Sequence, residues 1–170
     1  MPGGLGFGGG FPGLGGFPSI PPGTPIREQI LQDIEATLAT ISQSNGYASD
    51  VATFTRGVAS PNETTDLPLV SLLPVQDPPE YGPGVRRCLL SLTVRVWIDS
   101  INQTGAVLEA LIADVQRVLR VDPLRSSLAE DTREVSTQYL YLAGTETLAG
   151  ADVHFEVPYK TDINNPLIRV

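Results

Sequence analysis

The fold is decided by one stretch of the sequence, residues 86–99, which reads RRCLLSLTVRVWID. Its apolar residues recur at every second position: Cys88, Leu90, Leu92, Val94, Val96 and Ile98. Strict alternation predicts a β-strand with one face in the core. At about 3.3 Å per residue the strand would be roughly 46 Å long, well beyond an average strand. We therefore expect it to bend, or to project past the domain as a hairpin arm whose tip is residues 76–84, QDPPEYGPG.

Four further runs outside this stretch have the composition or alternation of strands. Two precede it and two follow it: Tyr47–Arg56, Leu67–Leu73, Glu134–Leu142 and Ala151–Lys160. In the last run Val153, Phe155, Val157 and Tyr159 share one face. That face is expected to join the core.

Two amphipathic helices are predicted. The first runs from Pro25 to about Gln43, with Thr24 as N-cap and Pro25 at the first helical position, where a missing N–H costs nothing. The second runs from about Gly105 to Arg120 and ends before a proline. Apolar residues at helical spacing mark the buried stripe of the first helix: Ile26, Ile30, Ile34, Leu38 and Ile41.

The order of the elements, α-β-β-β-α-β-β, predicts an α+β fold. Grouped strands with two helices favour a mostly antiparallel sheet packed against those helices, because the helices do not alternate regularly with strands. Residues 25–170 are expected to form this single domain. Its predicted core is Ile30, Ile34, Leu38, Leu92, Val94, Val96, Leu111, Val115, Phe155 and Val157.

Residues 1–24 differ in composition from the rest of the chain. They hold ten glycines and five prolines, carry no charged side chain, and include Phe7, Phe11 and Phe17. Such a segment cannot build a core, since ordering glycine costs the most backbone entropy. We expect an extended Gly/Phe/Pro-rich arm that docks on another subunit through its aromatic rings.

Composition narrows the class of protein. The chain has 170 residues, 41% of them hydrophobic and only 18% charged, which predicts that partners cover part of the surface. A net charge of −8 without clustered Lys or Arg disfavours specific nucleic-acid binding. No run approaches the roughly 18 apolar residues of a membrane span, so a soluble protein is expected.

The apolar, charge-poor surface and over-long hairpin predict a homo-oligomeric ring.

Motifs for covalent chemistry are missing from the sequence. It has no phosphate-binding glycine loop, no nucleophile elbow and no metal-binding His or Cys spacing, so no catalytic residue, metal or cofactor is expected. His154 is interpreted as a surface or interface residue, and Cys88, the only cysteine, as a small buried hydrophobe. The acidic run Glu130-Asp131 is interpreted as a solvated loop because it lacks the ligand spacing of a calcium loop.

Taken in order, six segments resemble the tail terminator or tail completion family of long-tailed bacteriophages. The resemblance rests on their order and spacing, and the segments are Ile26–Leu31 (IREQIL), Val51–Gly57 (VATFTRG), Asp66–Leu72 (DLPLVSL), Leu90–Val96 (LSLTVRV), Leu108–Val115 (LEALIADV) and Val153–Tyr159 (VHFEVPY). It implies an α+β subunit of a six-membered ring that caps the tail tube, stops its growth and presents a joining surface to the neck beneath the head. No enzymatic activity is implied.

The partners implied by the resemblance are other copies of the chain, the tail tube protein, the head or neck connector protein and, in a contractile tail, the sheath protein. DNA would pass through the lumen unbound, past an acidic wall that does not hold phosphates. The place implied is the head-proximal end of the tail in the virion, after assembly in the host cytoplasm. The predicted interface residues are Phe7, Phe11, Phe17, Tyr81, Arg86 and Arg87.

Two alternatives remain open at this point. A neck connector or stopper also forms a ring at the head–tail junction. A small-molecule-binding module belongs to a different class, and a deep pocket lined by strongly perturbed titratable groups would favour it.

Overall fold

The structure, a computed structural model, describes residues 23–57, 60–62, 65–75, 78–99, 105–140 and 147–170. Two α-helices and one short 3₁₀ helix lie in these residues: α1 (Ile26–Leu38), the 3₁₀ helix (Gln43–Asn45) and α2 (Gly105–Val121). The strands are β1 (Thr53–Arg56), β2 (Leu69–Pro74), β3 (Pro79–Gly82), β4 (Val85–Asp99), β5 (Arg133–Leu140) and β6 (Leu148–Asp162).

All six described strands belong to one sheet. Its order is β1-β2-β4-β6-β5, with β3 pairing to β4 beyond the end of β2. Only β1 and β2 are parallel, and every other pair is antiparallel. The predicted α+β class, a mostly antiparallel sheet with two helices, is therefore confirmed.

The long strand β4 is supported along its whole length by β6. The register runs without interruption from Val85 opposite Asp162 to Asp99 opposite Leu148. A free hairpin arm of this length would be marginal in water, whereas a strand paired over all its residues has its backbone groups satisfied. The long strand thus remains part of the sheet.

The predicted hairpin tip is wrong in its detail. Residues 79–82, expected in the loop, form β3 and pair with the first residues of β4, which adds one strand to the predicted order. The turn itself is only Pro83 and Gly84, and Gly84 has a φ of +69°. Proline fixes φ at the first central position of a turn and glycine accepts the positive φ at the second, so two residues suffice.

Helix α1 also differs from the prediction. Its N-cap is Pro25 and not Thr24, no side chain caps it, and it ends at Leu38 instead of Gln43. Other donors take up carbonyls at and just after the helix end: Thr40 donates through both its N–H and its hydroxyl to the Thr37 carbonyl, and Asn45 donates to the Thr40 carbonyl beyond the helix. Side chains that bond to nearby backbone in this way compete with helix continuation.

The strand predicted at residues 47–56 is shorter than expected, because its first part follows the 3₁₀ helix as irregular chain. Ser49 donates its N–H to the buried carboxylate of Asp114 at 2.8 Å, which ties this stretch to α2 and not to a strand. The other strands match their predicted positions with shifted ends, and α2 is extended by one residue. Residues 141 and 142, predicted at the end of β5, lie outside the described residues.

The core lies between the helices and one face of the sheet. All ten residues predicted for it are buried, and they belong to one cluster that joins α1, α2, β2, β4 and β6. Cys88 is buried in the same cluster, as predicted. Among the described residues, no helix has the length and apolar character needed to cross a membrane.

Candidate functional site

Three of the predicted interface residues meet at one end of the sheet. Tyr81 in β3 lies opposite Arg86 in β4, and Arg87 lies opposite Glu80. The side chain of Tyr81 is 69% exposed, and Arg87 is exposed too. We call β3, the first four residues of β4 and the adjoining C-terminal residues 163–170 the hairpin end.

The C-terminal residues complete the hairpin end. Asp162 donates its N–H to the Ile168 carbonyl at 2.8 Å, and Thr161 forms a bridge with Arg169. Apolar side chains of this segment are exposed beside the hairpin: Ile163, Leu167, Ile168 and Val170. Exposed aromatic and aliphatic side chains next to arginines are typical of protein interaction surfaces.

Arg86 is half-buried, unlike its neighbour Arg87. Its cross-strand partner on β6 is Thr161, which is 2% exposed. Neither the Nε of Arg86 nor the Oγ1 of Thr161 has a hydrogen-bond partner among the described residues, although both atoms are buried. Unsatisfied buried groups of this kind are rare in folded chains. The hairpin end therefore keeps unused hydrogen-bonding capacity.

The other three predicted interface residues, Phe7, Phe11 and Phe17, lie outside the described residues. The same holds for the predicted arm as a whole except Gly23 and Thr24.

A second feature is a cavity of about 380 Å³ between α1, α2 and the turn at residues 122–128, which we call the interhelical pocket. Apolar groups form much of its wall: Ala36, Tyr47, Val118, Val121 and Leu128. Val121, the last residue of α2, is 74% exposed at its rim. The guanidinium of Arg117 lies over the ring of Tyr47, 5.1 Å from the ring centroid, in a cation–π contact.

The wall formed by residues 122–128 is built around a buried arginine. Arg125 is 0% exposed and donates to the Leu119 carbonyl, to Thr132 Oγ1 at 3.2 Å and to Asp33 Oδ2 at 3.5 Å. It thereby caps a free carbonyl at the end of α2 and joins α2 to α1. Burial lowers the pKa of Arg125, and the nearby Asp33 and Asp122 carboxylates oppose that shift.

Three consecutive residues of this turn, Arg125, Ser126 and Ser127, have positive φ values of 48°, 55° and 67°. The left-handed region is costly for residues with a Cβ, at about 1 kcal/mol or more each, and such strain gathers where surrounding contacts enforce it. The Asp122 carboxylate accepts from the Ser126 N–H at 2.6 Å and from the Leu124 N–H at 3.1 Å. These bonds and the buried Arg125 hold the turn.

Six of the seven polar side chains that line the interhelical pocket are hydrogen-bonded within the chain: Gln29, Gln32, Asp33, Thr37, Thr40 and Ser126. Asp33 accepts from Arg125 and from the Ser126 hydroxyl at 3.2 Å, and Gln29 donates to the Thr24 carbonyl at 2.8 Å. Gln32 donates to Glu28 at 3.2 Å. The pocket therefore offers apolar contact area and no converging set of unused polar groups. That chemistry suits an apolar occupant and not a charged metabolite.

The sheet face turned away from the helices carries a row of paired polar side chains. Arg95 forms a bidentate ion pair with Asp152, with N–O distances of 2.6 and 2.7 Å. The hydrogen bonds to Asp152 raise the pKa of Arg95. His154 Nδ1 lies 2.9 Å from Thr93 Oγ1. His154 therefore lies on the face opposite Phe155, as the alternation predicts. At the start of β2, Leu69 pairs with Trp97 on this face, and both residues are buried.

The acidic residues near residue 130 are engaged locally. Glu130 forms an ion pair with Lys160, Asp131 accepts from the Thr132 N–H at 2.8 Å, and Glu134 accepts from Gln116 at 2.8 Å. Within the described part of the chain, no group of three or more His, Cys, Asp or Glu side chains is placed to hold a metal ion.

The sequence interpretation missed the interhelical pocket, its lining residues Tyr47 and Val121, and the buried Arg125 behind its wall. Tyr47 was assigned to a strand, and Arg125 follows a helix-ending proline in a segment with no periodic signal. Only the packing of α1 against α2 makes these residues neighbours. One signal was present: Val121 extends the apolar pattern of α2 beyond the predicted helix end at Arg120.

The chain was also compared with known proteins. It matches no model of a known protein family, and a search of curated proteins finds no similar sequence.

Proposed function

We propose that this protein is a structural subunit of a bacteriophage tail, which forms a ring that caps the tail tube, ends tube polymerisation and supplies the surface that joins the tail to the head. It would act at the head-proximal end of the virion tail and catalyse no reaction. Its partners would be further copies of itself, the tube protein, the neck connector and, in a contractile tail, the sheath.

The observation that carries the proposal is the order of the six segments that resemble tail terminators. They fall, in sequence order, in or at α1, β1, β2, β4, α2 and β6. Together these elements form the helix-on-sheet core, so the resemblance covers the framework of the domain and not its loops. An α+β domain of this kind is the architecture that the resemblance implies.

The hairpin end supports the proposal as a contact surface. Tyr81 is exposed there on a four-residue strand, β3, and among the described strands β3 pairs only with β4. An exposed edge strand with an aromatic side chain and adjacent arginines suits attachment to another subunit. The net charge of −8 favours free passage of DNA through a lumen, because an acidic wall repels phosphates.

A tube-growth assay tests this function. The tube protein encoded in the same phage genome is polymerised with and without the full-length chain, and tube lengths and ends are measured by electron microscopy. We expect short tubes with ring-shaped density at one end, and native mass spectrometry of the chain alone to detect a hexamer. Tyr81→Asp should weaken end binding by placing a charge on the hairpin end, whereas Ala113→Asp, at an exposed position on α2, serves as control.

Tubes of unchanged length with bare ends would refute the terminator function. Rings that bind the isolated neck connector but never the tube would indicate a stopper instead. Equal loss of end binding in the two variants would show that the hairpin end is not part of the interface. It would not contradict the capping function.

A further inference from the structure

We propose that the interhelical pocket receives a phenylalanine of the N-terminal arm of a neighbouring copy. The proposal rests on the proposed ring, because it needs a second copy beside the first. It assigns a receptor site to an arm whose target the sequence left open.

The chemistry of the pocket matches the chemistry of the arm. Six of the pocket's seven polar side chains are hydrogen-bonded within the chain, and its apolar contact surface comes mainly from Tyr47, Val118, Val121 and Leu128. Residues 1–24 have no charge, and their largest side chains are three phenylalanines. An aromatic ring gains most from burial in an apolar cavity, and offset contact with the Tyr47 ring would add to that gain.

The rim of the pocket exposes an apolar side chain at the end of α2. Val121 is 74% exposed at the end of α2, beside a turn with three left-handed residues. A β-branched residue has a lower helix propensity, and an exposed side chain buries little apolar area, so Val121 contributes little to stability at this position. A phenylalanine ring bound in the pocket would cover Val121. It would also contact the pocket wall formed by the strained turn at residues 122–128.

The arm is long enough to reach the pocket of a neighbouring copy. The root of the arm, residues 17–23, contains Pro18, Pro21 and Pro22. Proline and the residue before it prefer extended backbone, and six extended residues at about 3.1 Å each would span roughly 19 Å. From Gly23 to Phe7 the arm reaches about 50 Å when extended. That exceeds the roughly 40 Å width of a compact domain of this size, so the arm can span to the next subunit.

The start of α1 anchors the arm at its base. The Ile26 N–H donates to the Pro166 carbonyl at 3.1 Å, and Gln29 holds the Thr24 carbonyl. The base of the arm is thus attached to the domain by a side-chain hydrogen bond at Thr24, next to a backbone hydrogen bond at the first residue of α1. Insertion of a phenylalanine side chain into the pocket of a neighbouring copy would then connect the two domains through the arm.

Photo-cross-linking tests the proposal on the full-length chain. A benzophenone-bearing phenylalanine replaces Phe7, Phe11 or Phe17 in a chain labelled with heavy isotopes, which is mixed with an unlabelled chain before irradiation. We expect cross-linked peptides that join a heavy arm to the pocket segments of a light chain, residues 29–47 or 118–128. Val121→Glu in the light chain should lower this yield by about tenfold or more, because the ring would face an unpaired charge.

Ala113→Glu is the matched control, since it adds the same charge at an exposed position on the same helix outside the pocket. It should leave the yield unchanged. Cross-links confined to single chains, cross-links to other surfaces, equal loss in both variants, or no inter-chain product at the highest attainable concentration would each overturn the proposal.

The tube-growth assay separates the two proposals. Capped tubes without cross-links in the pocket would refute the arm site alone. Inter-chain cross-links in the pocket with uncapped tubes would refute the terminator function and retain the arm site.

Discussion

Gly150 in β6 lies directly against the indole ring of its cross-strand partner Trp97. A Cβ at position 150 would be 2.5 Å from Trp97 Cε3 and 2.8 Å from the Val96 carbonyl oxygen. Trp97 is 1% exposed, so its ring has little room to move. Glycine is thus required here by packing and not by a turn.

We expect Gly150→Ala to lower the free energy of unfolding by about 1–3 kcal/mol, because a methyl group forced into a packed site shifts the ring or the backbone. Gly105→Ala is the control, since no atom lies within 4 Å of a Cβ added there. Urea unfolding followed by tryptophan fluorescence measures both variants. Equal stability of Gly150→Ala and the parent chain would show that the Trp97 ring moves freely.

Truncation of the core should be costly on both sides of the sheet–helix interface. Leu111 in α2 and Phe155 in β6 are 0% and 2% exposed, and Leu111→Ala or Phe155→Ala should each cost about 2–5 kcal/mol of stability. Leu124→Ala, at a half-exposed position, should cost much less. If the core variants unfolded at the same denaturant midpoint as the parent chain, the buried faces would be wrongly assigned.

Arg125 should stabilise the fold through its buried hydrogen bonds. Arg125→Met leaves the Leu119 carbonyl without this donor and removes the link to Asp33, so we expect a loss of about 2–4 kcal/mol. Arg120→Met removes an exposed arginine one turn earlier and should change stability little. Thermal unfolding of the two variants gives the comparison, and similar midpoints would exclude an anchoring role for Arg125.

The contact between α1 and β1 should depend on pH. Hydrogen bonds from Arg56 to Glu28, at 2.8 and 2.9 Å, lower the pKa of Glu28 below its usual value of 4.5. A carboxyl group whose pKa is lowered by folding stabilises the folded state above its unfolded pKa and loses that contribution as the pH falls through its folded pKa.

We therefore expect Glu28→Gln to reduce stability at pH 7 by up to about 1 kcal/mol, since the pair is partly exposed, and to have little effect near pH 2. Glu80→Gln, which removes one carboxylate at an exposed position in β3, is the control. Chemical unfolding at both pH values provides the measurement. A loss of the same size at both would mean that Glu28 acts through packing and not through its charge.

Deletion of residues 1–23 should leave the isolated domain intact. The described core uses residues from Ile26 onward, so the thermal midpoint of the monomer should change little, while attachment within assembled tails should weaken. Calorimetry at a concentration where the chain is monomeric tests the first expectation, and tail length and head joining in virions carrying the deletion test the second. An unfolded truncated domain would place the arm in the core.

Several features could be predicted from the sequence because they depend on residues close along the chain. The alternation in residues 86–99 predicted β4, and the spacing of Ile30, Ile34 and Leu38 predicted the buried side of α1. The predicted interface residues Tyr81, Arg86 and Arg87 are close together in the sequence, and the pairing of β3 with β4 places them at one end of the sheet. Local periodicity reports which face of an element is apolar.

The sequence alone thus determined the α+β class, the two helices and the helix-facing core, since period-2 and period-3.6 patterns record burial residue by residue. Only the tertiary structure decided the parallel pairing of β1 with β2, the burial of Trp97 on the outer face and the pocket walled by Tyr47, Val121 and the Arg125 turn. Those features join residues that are distant in sequence, such as Asp33 and Arg125, and no local pattern specifies which distant side chains meet. The physical reason is that burial can be encoded by each residue separately, whereas a contact depends on how whole elements pack.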